Sequence, residues 1–309
     1  MKAILAKLDE GLFGWGSPLA MGVYRILLGV AHLANWAIIG QHFEQFFTEK
    51  GLVTKDLAAR FNGDVWRFNP LMSTPDNVTR LLYVVMILSA VCVMIGLFTR
   101  VSSVLLALLT IAFHVRNPVL LHGGDTLLRN MTILMALAPA GAALSVDAFL
   151  RRRRGEEPIG SVSLWPQRMM ALQLAVVYVT SVVQKWNGES WKNGTATWYP
   201  PQLTEFQRFP VPAFLDTQPW LTITSYGTML LEVALGTLVF WKPARRYVVL
   251  GGLLLHGSIE WRFNIPLFAF TICSCYVLYY SGEEWSQTLM RIRKRWNRGN
   301  EQAPSDVPL

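Results

Sequence analysis

Eight apolar stretches, each near the length that crosses a bilayer and separated by polar connections, constrain this chain more than any other feature. They lie near residues 17–39, 78–98, 101–117, 125–147, 165–186, 220–241, 246–263 and 265–282. A helix needs about 20 apolar residues to cross about 30 Å of hydrocarbon, where each backbone polar group must find its partner within the protein. The pattern predicts an all-α, polytopic integral membrane protein of eight transmembrane helices. Composition agrees, since only 16% of the 309 residues are charged, against about a quarter in soluble domains.

Lysine and arginine in the short connections set the sidedness. With eight spans, Arg100, Arg151 to Arg154, Lys242 with Arg245 and Arg246, and the RIRKR tail all fall on one side, joined by Lys2 and Lys7. Both termini are then expected to be cytoplasmic. The formal charge of +8 is explained by this bias, so no nucleic-acid partner is inferred. Ile4, Leu5, Leu8 and Leu12 share a helical face opposite Lys2, Lys7, Asp9 and Glu10, which predicts an amphipathic interfacial helix over 1–13. The membrane domain is expected over 1–283, followed at 284–309 by a basic cytoplasmic tail whose end, after Trp296, is disordered. Arg151 to Arg154 reads as a topology anchor or as a contact for anionic lipid. Cys92, Cys273 and Cys275 lie within apolar runs without a CxxC pair, which fits small apolar packing residues.

Two longer connections are expected on the opposite side. The one at about 40–77 suits one or two short helices lying on the membrane. The one at about 187–219 is rich in Trp, Tyr, Phe and Pro, which suits interfacial anchoring or a cover over a site.

Ionisable groups inside spans are costly and mark function by default. Lys185 ends the fifth stretch, and Tyr178, Ser181 and Gln184 precede it at helical spacing as a polar stripe. Lys185 has two readings. It can snorkel its ammonium to the interface, or, partly desolvated, serve as a general base. In HGGDTLLRN, Asp125 is placed to cap a helix and to pair with Arg129 one turn on, which leaves His122 unexplained. In LLLHGSIEWRFN, Glu260 sits four residues after His256, where it can orient the imidazole. Glu232 lies near the middle of the sixth stretch, with Arg25 as its expected partner. No HExxH or cysteine ligand set appears, so no metal site is predicted.

LLHGGDTLLRN, then SVDAFL, LQLAVVYVTSVVQKWNGESWKNGTATWY, SYGTMLLEVALG and LHGSIE occur in this order. Together they resemble the HTTM domain, the membrane domain shared with vitamin K-dependent gamma-carboxylase and bacterial relatives, over about residues 12–283. In the carboxylase a lysine just before a W-x-x-G loop deprotonates vitamin K hydroquinone. Oxygen then converts the quinol into a strong base that removes a glutamate γ-proton before CO2 adds. The resemblance implies that Lys185 is that base and that His122 and His256 assist or orient the quinol. Gln184 stands where the family has the first of two lysines, and the carboxylase's large lumenal domain has no counterpart here, which argues against processive glutamate carboxylation. Bacterial proteins of this type also resemble those that mature a sporulation-delaying toxin peptide with a small membrane partner.

The resulting expectation is a quinol-dependent enzyme of the cell inner membrane, with reduced vitamin K or menaquinol as cofactor. Its substrate would be a peptide or small molecule at the outer face. Lys185, His122 and His256 would be catalytic, with Tyr178, Ser181, Gln184, Glu260, Asp125 and Arg129 around the cofactor. Membrane lipids and a small membrane protein are the expected partners. The alternative is a non-catalytic scaffold, immunity protein or maturation partner for a secreted toxin peptide.

Overall fold

The computed structural model describes residues 9–62, 69–210 and 212–301, which are mostly helical. Each apolar stretch contains a helix: α1 (Leu19–Gly40), α2 (Asp76–Ile95), α3 (Thr99–Arg116), α4 (Gly123–Ala136), α5 (Trp165–Trp186), α6 (Trp220–Gly236), α7 (Lys242–Arg262) and α8 (Phe268–Cys275). A 3-10 turn, Tyr276–Tyr279, prolongs α8, and α9 (Gly282–Glu301) follows. Trp15–Gly16 (β1) and Val162–Ser163 (β2) form a short antiparallel pair.

Three helices, α1, α2 and α3, are both long and apolar enough to cross a membrane. The other five are shorter or more polar. The largest departure from expectation is the fourth stretch, read as one span over 125–147. Here α4 stops at Ala136, the chain bends through Pro139 and a 3-10 turn, and a separate short helix, Val146–Arg153, begins under the Ser145 cap. Fourteen residues rise only about 21 Å, short of the hydrocarbon thickness. Proline lacks the N–H that would continue the helix. The segment expected as a basic tail is helical as far as Glu301. Of the expected amphipathic helix, residues 9–13 are helical and the rest lies outside the described residues.

Each helix from α1 to α7 packs on the next, and α8 returns to α1 and α4, closing a ring. One core joins Met21, Tyr24 and Leu28 of α1 to Met131 of α4, Leu174 of α5, Leu235 of α6 and Tyr276. A second joins Trp36 to Met86, Val93, Leu106 and Phe113 of α2 and α3, with Phe47 from the short helix Phe43–Phe47. Only 28% of the α2 window is buried, and Leu81, Val84 and Leu88 point outward. Apolar side chains on an outward face are what hydrocarbon accepts and water does not.

Arg25 is fully buried and does not meet Glu232. It donates to the carbonyls of Val93 (2.6 Å), Met94 (3.0 Å), Ala140 (3.2 Å) and Leu144 (2.6 Å). Among the described residues, Met94, Ala140 and Leu144 O have no backbone donor of their own, and Val93 O also accepts from the Gly96 amide at 3.2 Å; a five-donor guanidinium can meet all four. Gly96, at φ 72°, ends α2 beside it; a Cβ there would lie 2.5 Å from the Arg25 guanidinium. Asp147 accepts from the Phe98 and Thr99 amides and from the Thr99 hydroxyl, capping α3 from the neighbouring segment.

Candidate functional site

The face of α5 carrying Tyr178, Ser181 and Lys185 turns inward at the end of the ring opposite the arginine-rich connections. Lys185 forms an ion pair with Glu232 of α6. Its Nζ also donates to Ser181 Oγ at 2.8 Å and lies 5.2 Å from the Trp191 ring centroid. Ser181 Oγ in turn donates toward Glu232 Oε1 at 3.4 Å. Glu232 is 9% exposed and Lys185 20%, so the lysine is held at the lip of the bundle rather than snorkelled free. The remaining carboxylate oxygen, Glu232 Oε2, is buried without a partner. Gln184 is exposed and turned away from this group, because it stands off the face that its neighbours share.

One turn deeper, Tyr178 Oη lies 2.9 Å from His256 Nε2 and 2.6 Å from Tyr276 Oη. His256 Nδ1 is buried with no partner. Glu260, expected to orient this imidazole, instead pairs with Arg208 from the connection after α5. Tyr178 therefore does the orienting. Lys185 and His256 lie within electrostatic range of each other.

His122 occupies a different position. Its Nδ1 accepts from the Gly124 amide at 3.0 Å, while Asp125 Oδ2 accepts from the His122 amide at 3.0 Å, a reciprocal cap that starts α4. The His122 ring faces Phe268 at 6.2 Å, and His256 faces the same phenyl ring at 5.9 Å. His122 and His256 thus share Phe268 as a common neighbour. Asp125 is saturated by His122 and by Asn35 Nδ2, at 2.9 Å. The expected pair with Arg129 does not form, and Arg129 lies instead in the electrostatic range of His114.

The connection 187–219 is tied down on both sides. Thr197 Oγ1 meets Thr224 Oγ1 of α6 at 2.8 Å, and the Asn264 amide donates to Phe206 O at 2.7 Å. Arg262 at the end of α7 pairs with Asp216. Sequence reasoning missed Tyr276, Phe268 and Trp191, and gave Glu232 the wrong partner. Tyr276 and Phe268 sit within apolar runs that carry no local sign of their polar or ring neighbours.

The arrangement offers a lysine–carboxylate pair able to exchange a proton, beside a histidine fixed by a tyrosine. Two buried hydrogen-bonding atoms beside it, Glu232 Oε2 and His256 Nδ1, have no partner among the described residues.

The model of the HTTM domain matches residues 17–285. The Bacillus subtilis (strain 168) protein YitO, described as uncharacterized, is 22% identical over 238 residues, covering 69% of this chain and 76% of its own length. No solved structure matches the chain. With a family match across all eight apolar stretches and three helices of membrane-crossing length and apolarity, the chain is a membrane protein belonging to the HTTM domain family.

Proposed function

We propose that the chain is a quinol-dependent enzyme with chemistry akin to that of vitamin K-dependent gamma-carboxylase, acting on a peptide or small substrate at the outer face of the cell inner membrane. In this reading all eight helices span or enter the bilayer, and both termini are cytoplasmic. The observation that supports it best is the Lys185–Ser181–Glu232 cluster beside Tyr178–His256, with Glu232 Oε2 and His256 Nδ1 both buried and unpartnered. Those two atoms fit the hydroxyl groups of a quinol head, whether reduced vitamin K or menaquinol.

Such a quinol supplies an acidic hydroxyl and two reducing equivalents. Lys185 can take that proton only when its amine is neutral, and Glu232 is the contacting carboxylate that can hold the displaced proton. Ser181 fixes the Nζ position, while Tyr178 and Tyr276 fix the imidazole. Val179, Val183, Leu230 and Val233 are exposed on the same helices and offer an isoprenoid tail an apolar path. The 187–219 connection, pinned to α6 and α7, would cover the head group. His122 sits beside Phe268 as a positioning residue.

One observation favours the rival reading of a scaffold, immunity or maturation partner for a toxin peptide, acting with a small membrane protein. The Lys185–Glu232 pair, flanked by Trp191, also works as a brace between α5 and α6. Quinol turnover separates the two readings. Protein in lipid nanodiscs is supplied with reduced vitamin K or menaquinol while oxygen uptake and quinone formation are followed. Loss of a general base lowers rate by about 10²–10⁴-fold, so Lys185→Ala should abolish the turnover shown by the unaltered protein. Turnover that survives in Lys185→Ala removes the lysine from the mechanism. No turnover in folded unaltered protein, even with a precursor peptide, favours the scaffold.

A further inference from the structure

At the end of the ring remote from Lys185, a cavity of about 340 Å³ opens between the 9–13 helix, the start of α5, the start of α7 and the end of α8. Its walls are apolar, with Leu12, Leu172 and Phe240, and its rim carries Arg168, Lys242 and Arg245. Glu284 is the one carboxylate on the lining and pairs with Arg245 at 3.0 Å. Arg168 spends one nitrogen on Glu10 O at 2.8 Å, and Lys242 has no hydrogen-bond or ion-pair partner among the described residues. Three cations against one carboxylate leave the rim positive. Both α5 and α7 begin here, so the positive ends of their helix dipoles add to that field.

An independent observation comes from Gln167, which lines the same cavity and is 6% exposed. Its Nε2 donates to Leu278 O (3.2 Å) and Tyr280 O (2.9 Å), whereas its Oε1 is buried with no partner. Gln167 thus brings an unmet acceptor to the wall of the cavity. A buried acceptor of this kind requires a donor.

We infer that this cavity binds the headgroup of an anionic, hydroxyl-bearing phospholipid such as phosphatidylglycerol. The phosphodiester meets Lys242 and Arg168, and a headgroup hydroxyl donates to Gln167 Oε1. The first carbons of one acyl chain lie along Leu12, Leu172 and Phe240. The volume is at the small end of the range for ligand sites, roughly 300–1,000 Å³, which suits a headgroup whose tails remain in the bilayer. The site is distinct from the Lys185 cluster and does not depend on the function proposed there. A soluble phosphate would satisfy the cations but would leave the apolar walls bare.

Native mass spectrometry of delipidated protein tests this, with separate titrations of phosphatidylglycerol, phosphatidylcholine and inorganic phosphate. One phosphatidylglycerol per chain should bind at least tenfold more tightly than phosphatidylcholine, and phosphate should not compete. Lys242→Ala and Arg168→Ala should each weaken binding about fivefold, the worth of one cation near an anionic lipid. Arg152→Ala, an exposed arginine on the same side but outside the cavity, should leave binding unchanged. Equal weakening by Arg152→Ala would reduce the effect to general surface charge and overturn the site. Competition by phosphate would reassign it to a soluble anion. If one of the two cavity variants fails to fold, the other, compared with Arg152→Ala, decides the matter.

Discussion

A charge at the lip of a membrane bundle is tolerated only while its partner stays, and Lys185 depends on Glu232 in this way. Removing one member of a buried pair costs about 3–5 kcal/mol; with a fifth of the Lys185 side chain exposed, about 2 kcal/mol is a fairer expectation. Lys185→Met and Glu232→Gln should each destabilise by about that much. The double variant should recover at least half of the summed loss, as read by thermal unfolding in detergent. If the losses simply add, the pair is not an energetic unit. Tyr178→Phe is expected to cost about 1–2 kcal/mol, because it strands His256 Nε2 and the Tyr276 hydroxyl at once; near-neutral stability would show that the two bonds are not formed. At this scale helical spacing alone put Tyr178, Ser181 and Lys185 on one face, whereas Gln184, expected in the same stripe, is exposed and makes no contact with the group. Sequence reasoning misassigned the partners of Glu232, Asp125 and Glu260. Which carboxylate meets which cation depends on how helices far apart in sequence are rotated, and spacing within a helix carries no such information.

Helix ends, more than helix interiors, shape the elements. Arg25 gathers four carbonyls from the end of α2 and the break after α4. A lysine ammonium has three donors on one nitrogen and no planar fork, so Arg25→Lys should leave at least one of the four carbonyls without its present donor. We expect a loss of more than about 3 kcal/mol, seen as a collapse of monodisperse yield in detergent, whereas a variant with normal melting would contradict the assigned role. Asp147→Ala removes the cap of α3 and should cost about 1–2 kcal/mol, with the α2–α3 turn becoming the first site of proteolysis. The existence of each helix was legible from runs of apolar residues. The stop at Ala136 was not anticipated, because Ala, Leu and Gly keep the run apolar past Pro139 while the backbone has already turned.

The whole molecule is a ring with basic connections at one end and the lysine cluster at the other. Cysteines introduced at Glu157 and Glu205, both exposed and at opposite ends of α5, should be labelled by an impermeant maleimide from opposite faces of the membrane. Labelling of both from a single face would refute the placement of these two ends of the ring on opposite sides of the membrane. Ring closure also sets a schedule for synthesis. Tyr24 of α1 bonds Cys275 of α8 across 251 residues, and Tyr276 and Phe268 complete the surroundings of His256 only when that last helix arrives. At about 5–20 residues per second, α1 waits roughly 13–50 s for this partner. During that interval the Tyr24 hydroxyl faces lipid, an insertase or an earlier helix, so a nascent chain arrested before α8 is an open arc with its polar inner face uncovered and an obvious target for membrane quality control.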